Sequence, residues 1–412
     1  MTPDDAATDS TETAPSLKRL VVINQVAGPL MVELLSDLRD AGIACRVLTG
    51  QIEAEEGQLA GVEILRGRRL IKKSATGRIW AWGLFTLQAI AQIVRFRREP
   101  ILVVTNPPLV MLAMPLLRKL FGVRYAVLVY DIYPDVMERM GAVRAGGLVS
   151  RLWRRLSRNA MLRSDTVVTL GTAMARTLGG HLMPGDCCDI HVVPTWVDTR
   201  TIRPIDRADN LFAKQNALAD KFVVMYSGSF GATHDIESII EASERLSDAP
   251  DVQFVLIGGG TRWAELTRMV EQRRCGNVRL LPFQRRETLP YSLAAADCQI
   301  VALDEAYAGI SVPSKTYYAL AAGCALLAIG PAESELAELV KKHGCGLHIP
   351  PRRPDLLEAA IRRMRDEPAL LAEMRGRARQ AAEECYARAR VVGDFATVLA
   401  DGFGLPRRQS YR

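Results

Sequence analysis

The stretch Phe222-Val223-Val224-Met225-Tyr226-Ser227-Gly228-Ser229-Phe230-Gly231 runs from five apolar residues straight into a loop of small ones. Residues 236–247 then recur at helical spacing, and 253–257 form a second short apolar run. Brief apolar runs alternating with helical stretches are the pattern of parallel strands buried on both faces. The series continues at 278–281, 298–302 and 326–329, so the second half of the chain reads as a doubly wound α/β domain.

Upstream the same arrangement appears a first time. Runs at 20–24, 45–48, 101–104, 125–129, 166–170 and 191–193 are short and β-rich, with helical spacing at 31–41 between the first two. A polar, charged segment at 205–220 separates the two series. The expected organisation is a disordered leader over 1–17, a Rossmann-like domain over 18–205 and a second over 206–387. A final helix and tail over 388–412 is expected to cross back onto the first domain. A length of 412 residues suits two such domains better than one core. Ligands of open parallel sheets sit beyond the carboxyl ends of the strands, which makes the cleft between two facing domains the expected site.

Composition narrows the function classes. Residues 1–17 are rich in Asp, Thr and Ala and lack the basic and apolar segments of a secretory signal. None of the eight cysteines forms a Cys-x-x-Cys pair, which points to reduced thiols and a cytosolic setting. The histidines have no metal-ligand spacing, and no metal site is expected. The longest apolar run, 79–94, carries Thr86, Gln88 and Gln92 and falls short of the roughly 20 residues a spanning helix needs. A net charge of +7 favours an anionic partner: a phosphorylated substrate, a membrane surface or nucleic acid. No nucleic-acid reading module accompanies the charge, so the last is set aside.

Three loops after expected strands carry glycine ahead of an expected helix, where backbone N–H groups and the helix dipole favour phosphate. The first holds Gly228, Ser229 and Gly231, with His234 at the helix entry; the second is Gly258-Gly259-Gly260. Either also reads as a plain tight turn, for which glycine is the usual residue. The third, Gly309-Ile310-Ser311-Val312-Pro313-Ser314-Lys315, says more. Ser314 is placed to cap the helix, and Lys315 in its first turn opposes the dipole unless an anion lies there.

Jointly these loops, with Asp131-Ile132-Tyr133-Pro134-Asp135, Val193-Pro194-Thr195-Trp196-Val197-Asp198 and Leu320-Ala321-Ala322-Gly323, resemble glycosyltransferase family 4 over nearly the whole chain. The likeness is strongest to its bacterial O-antigen and colanic-acid type members. The resemblance implies a GT-B fold of two facing Rossmann-like domains and retaining transfer without a metal. It implies that the C-terminal domain binds a nucleotide-sugar, with a UDP-sugar expected, and the N-terminal domain an acceptor. The acceptor it suggests is a polyprenyl-diphosphate-linked saccharide at the inner face of the cytoplasmic membrane. No cofactor is expected beyond the donor.

The chain departs from the family's E-x7-E pattern. Counting back from Gly323, Tyr318 and Ile310 stand where the two carboxylates belong, so Glu305 or Glu335 is expected to substitute. Retaining transfer needs positive groups and N–H donors at the departing diphosphate. Lys315, the loops at Gly228, Gly259 and Ser314, and Arg285 or Arg286 are the candidates. Asp131, Tyr133 and Asp135, beyond the strand 125–129, are expected to orient the acceptor hydroxyl or take its proton. Asp135 also reads as a helix-start carboxylate beside Pro134.

From Arg139 to Arg163 stand seven arginines and no acidic residue. At helical spacing Leu148, Val149, Leu152, Trp153, Leu156 and Ala160 fall on one side, with Arg151, Arg154, Arg155 and Arg158 opposite. An interfacial tryptophan on a basic amphipathic helix fits an anionic membrane surface; a helix packed on the core with a solvated basic face fits as well. Trp80 and Trp82, beside Arg95, Arg97 and Arg98, form a second candidate surface. Two other functions stay open: a nucleotide-sugar epimerase of the same fold, and a scaffold that binds nucleotide-sugar without turnover, for which the missing carboxylates argue.

Overall fold

The computed structural model describes residues 17–71, 75–231 and 235–404. The leader, but for Leu17, lies outside them. Two all-parallel sheets form the frame. The first runs, in spatial order, Glu63–Arg66, Ala44–Thr49, Arg19–Ile23, Ile101–Val104, Tyr125–Val129, Thr166–Thr169 and Ile190–Val192. The second runs Val278–Pro282, Val252–Gly259, Phe222–Ser229, Cys298–Ala302, Ala325–Ile329 and Gly346–Ile349. The central strands are buried from end to end because their side chains are apolar on both faces, as in Ile101–Val104 and Tyr125–Val129.

Two edge strands, Glu63–Arg66 and Gly346–Ile349, are not apparent as apolar runs. Each is four residues long and half-exposed, so its sequence need not be apolar throughout. In both sheets the strand order reverses beside the first strand of the unit. The loop after Phe222–Ser229 therefore sits at a topological switch point, the crevice where such sheets take ligands.

The domains are joined twice at one place. Val197 N–H donates to the carbonyl of Tyr386 at 3.0 Å, and Arg388 N–H donates to the carbonyl of Val197 at 3.0 Å. The helix Arg388–Gly404 then lies on the first domain, where Val391, Phe395, Leu399 and Phe403 join its core. The second domain reaches back through Ile310, 3% exposed and packed in the first domain's other core cluster with Ile132 and Leu178. Gly309 makes that approach possible. Its φ is +70°, and a Cβ there would lie 2.6 Å from the Thr177 hydroxyl. Among the described residues no helix is long and apolar enough to cross a membrane.

Candidate functional site

On the donor side, Lys315 begins the helix Lys315–Ala321 and points back to the end of the strand Phe222–Ser229. Its Nζ donates to the Tyr226 hydroxyl and stands 3.9 Å from the centroid of that ring. It also lies 3.6 Å from where a Gly228 Cβ would be. Burial lowers the amine from its ordinary 10.5 to about 7, and no neighbouring carboxylate among the described residues offsets it. A phosphate arriving here would supply the missing charge. Gly228 (φ +149°) and Gly258 (φ +153°) close the paired strands beneath it, and a Cβ on Gly258 would fall 1.9 Å from the Gly228 carbonyl. Only glycine fits that ladder end. Gly231 and exposed Ser229 continue the loop, whereas His234 lies outside the described residues.

Ser314 makes no capping hydrogen bond because its backbone is already helical, and its side chain is exposed. Glu335 is engaged across the cleft: its carboxylate accepts from Ala173 N–H at 3.0 Å and from the Thr172 hydroxyl at 3.3 Å, at the start of the helix Thr172–Gly180. The Ala173 N–H is an orphan donor of a helix N-terminus, which is why a carboxylate settles there. Glu305 is exposed on a short 3-10 turn. Arg285 is exposed, while Arg286 pairs with Glu55 of the first domain at 2.7 Å.

The carboxylate that does face Tyr318 belongs to the first domain. Glu33, 6% exposed, accepts from the Trp196 indole N–H at 2.9 Å, and its other oxygen lies 3.9 Å from both Arg286 and Arg388. Burial first, then Glu33, pushes the Tyr318 hydroxyl up. Sequence reading passed over Glu33, although an acid inside the apolar run Met31-Val32-Glu33-Leu34-Leu35 is the signal of a buried, partnered carboxylate.

On the acceptor side, Asp131 follows the strand Tyr125–Val129, and burial raises its carboxyl to about 6. It lines a cavity of about 20 Å³ with Thr105, Met111, Tyr133, Trp153 and His181. Tyr133 is held between two tryptophans, stacked on Trp153 at 5.9 Å and edge-on to Trp82 at 6.2 Å. Asp135 is bonded to His181, whose ring lines the same cavity. Burial raises its carboxyl, but the bond from His181 at 3.3 Å and the charge of Arg154 at 3.2 Å outweigh that and hold it below its ordinary value. It joins the helices Asp135–Arg139, Leu148–Leu162 and Thr172–Gly180.

Both domains of this geometry have counterparts among known proteins. Residues 27–196 match the family model described as Glycosyl transferase 4-like domain, and 208–384 the model described as Glycosyl transferases group 1. The chain belongs to the family 4, group 1 glycosyltransferases. This glycosyltransferase is 27% identical over 274 residues to a Pseudomonas aeruginosa protein named as a probable glycosyltransferase, WbjE. That match covers 66% of each, so the chain spans just under two thirds of that relative's length. It is 29% identical over 288 residues to the Escherichia coli protein WcaI, named for colanic acid biosynthesis, covering 68% of this chain and 69% of the relative. Among solved structures the Anabaena HepE protein in complex with UDP superposes with a TM-score of 0.72 at 14% identity, over 93% of this chain and 99% of that one.

The arginine-rich helix of this glycosyltransferase divides differently from its sequence periodicity: its leucines stay outside while Trp153 and Ala160 turn inward. Trp153 points inward against Tyr133, with Ser157 and Ala160, because an indole stacked on a phenol buries more apolar area than one left at the surface. Arg154 pairs with Asp135 and Glu138, and Arg158 with Asp186. Arg151 and Arg155 remain exposed, and so do Leu148, Val149, Leu152 and Leu156. Trp82 is buried while Trp80 is outward.

Proposed function

We propose that this glycosyltransferase moves a sugar from a nucleotide-sugar, a UDP-sugar first, to a saccharide carried on polyprenyl diphosphate. It would do so as a peripheral protein at the cytoplasmic face of the membrane, in surface polysaccharide assembly. The observation that carries the reading is Lys315: a partly buried amine over Tyr226, at a glycine-closed strand end, with no carboxylate beside it among the described residues. The UDP in the HepE complex and the colanic acid in the name of WcaI support the donor and the pathway class.

In the proposed reaction the bond between the anomeric carbon and the diphosphate oxygen breaks, and one to the acceptor oxygen forms on the same face. Lys315 and the N–H groups of the Gly228 and Gly258 loops meet the negative charge that develops on the leaving diphosphate. Asp131 accepts a hydrogen bond from the acceptor hydroxyl, whose proton leaves to that carboxylate or to the diphosphate. No metal or further cofactor is called for.

The test is thermal stabilisation by a panel of nucleotides and nucleotide-sugars on wild type and Lys315→Ala, followed by acceptor-dependent release of nucleoside diphosphate. A shift lost in Lys315→Ala, with release that requires acceptor, supports transfer. Tyr318 at the carboxylate position favours the scaffold reading, and binding without release under any acceptor would establish it.

A further inference from the structure

The helices Ala75–Arg95, Pro108–Phe121 and Leu148–Leu162 lie side by side on one face of the first sheet. Their inner residues, Phe85, Ile93, Met114 and Met161 among them, share a single core cluster, so their outer faces look the same way. Those outer faces are apolar. Trp80 is 71% exposed and Leu148 84%, and Leu87, Leu120 and Leu152 on the same three helices are exposed as well. A soluble monomer rarely leaves so many large apolar side chains on three neighbouring helices uncovered.

The charge around them has one sign. From 75 to 163 the exposed charged residues, Arg95, Arg97, Lys119, Arg151 and Arg155 among them, are all basic. The four acids of that span, Glu99, Asp131, Asp135 and Glu138, are each at least partly buried. An apolar face on a segment whose exposed charges are all basic complements an anionic lipid surface, into which the apolar side chains insert while arginines meet headgroups.

We infer that this three-helix face docks on an anionic bilayer. The same helices wall the acceptor pocket from behind: Trp82 and Trp153, which hold Tyr133, are inner residues of the first and third. Docking therefore sets the Asp131 loop beside the bilayer, where a lipid-linked acceptor would be presented. The surface follows from exposure and charge; only its purpose rests on the acceptor proposed above.

The test is vesicle flotation of the full chain with phosphatidylcholine alone and with phosphatidylglycerol added. Two double variants are compared, Leu120→Glu with Leu152→Glu, and Arg151→Glu with Arg155→Glu, with UDP-induced thermal stabilisation recorded on every protein. The expected result is flotation with the anionic vesicles, reduced about tenfold or more in each variant, with the UDP shift unchanged. Folded wild type that stays down with both vesicles overturns the inference, as does a Leu120/Leu152 variant that floats like wild type. A wild-type dimer that this variant dissolves would show a second copy covering the face, and also overturns it. If flotation behaves as expected but no nucleotide shifts any protein, the docking surface stands and the transferase reading fails.

Discussion

Lys315 holds its ammonium over the ring of Tyr226, 3.9 Å from the centroid, in a pocket that lowers it to about 7. The unfolded chain keeps this amine near 10.5. Between those values the unfolded state binds more protons than the folded one, so stability rises with pH across that window. The penalty of burying the cation is full below pH 7 and gone above 10.5. Lys315→Met should be more stable than wild type at pH 7, and its advantage should shrink by at most about 1.4 kcal/mol per pH unit. Urea midpoints of the two proteins from pH 7 to 9.5 measure it; a gap constant with pH would show an amine with an ordinary affinity for protons.

Asp131 gives a second titration, of opposite kind. Its carboxyl is raised from 3.8 to about 6 by burial, so the ionised form that can accept from an acceptor hydroxyl accumulates only above pH 6. The acceptor-dependent kcat/KM should climb through that pH and level off. Asp131→Asn should lower it about a hundredfold or more and flatten the profile. Nucleotide stabilisation should be unchanged, because the donor loops belong to the other domain. A wild-type profile flat from pH 5 to 8 would remove Asp131 from the chemistry.

The parts legible in the sequence are those set by local pattern. Apolar runs such as 125–129 announced buried parallel strands, and loop glycines such as Gly228 marked their ends. Groups whose roles depend on distant partners were not legible. Glu335 meets a helix start 162 residues away in the chain at Ala173, and Asp135 meets His181 and Arg154, which spacing cannot reveal. The Leu148–Leu162 helix shows the limit most plainly. Periodicity separated its apolar and basic residues but could not say which side the sheet would take, and the Tyr133 ring drew Trp153 inward. Arg154 and Arg158 followed it toward half-buried carboxylates, leaving leucines outside.

Gly309 tests how closely the domains must approach. At φ +70° an L side chain costs about 1–2 kcal/mol, before its Cβ meets the Thr177 hydroxyl at 2.6 Å. Gly83, within the helix Ala75–Arg95, has a helical backbone and nothing within 4 Å of where a Cβ would stand. Gly309→Ala should lower the melting temperature, while Gly83→Ala should raise stability by up to about 1 kcal/mol. Equal behaviour of the two by calorimetry would mean that the loop 307–312 does not hold its place against the first domain.

Tyr318 occupies the register position of a family carboxylate, yet restoring that carboxylate should harm this protein. Glu33 already faces the position from the other domain, fixed by Trp196 at 2.9 Å, and Asp198 also lies near enough to bear on the Tyr318 hydroxyl. Tyr318→Glu would set a further acid beside Glu33 and Asp198 in a partly buried place. The two arginines that also face it, Arg286 and Arg388, are already paired with Glu55 at 2.7 Å and Asp37 at 2.6 Å, so the like charges oppose ionisation. It should destabilise by roughly 1–3 kcal/mol at pH 7.5. The new carboxyl would be raised in the folded state, so the loss should diminish as pH falls and the group takes up its proton. Adding Glu33→Gln should return part of the stability at pH 7.5 and little at pH 5. Urea unfolding of the three proteins at both pH values decides the matter. Full stability of Tyr318→Glu together with tighter UDP binding would mean that the family's carboxylate position is still open here, and that Glu33 serves only to join the domains.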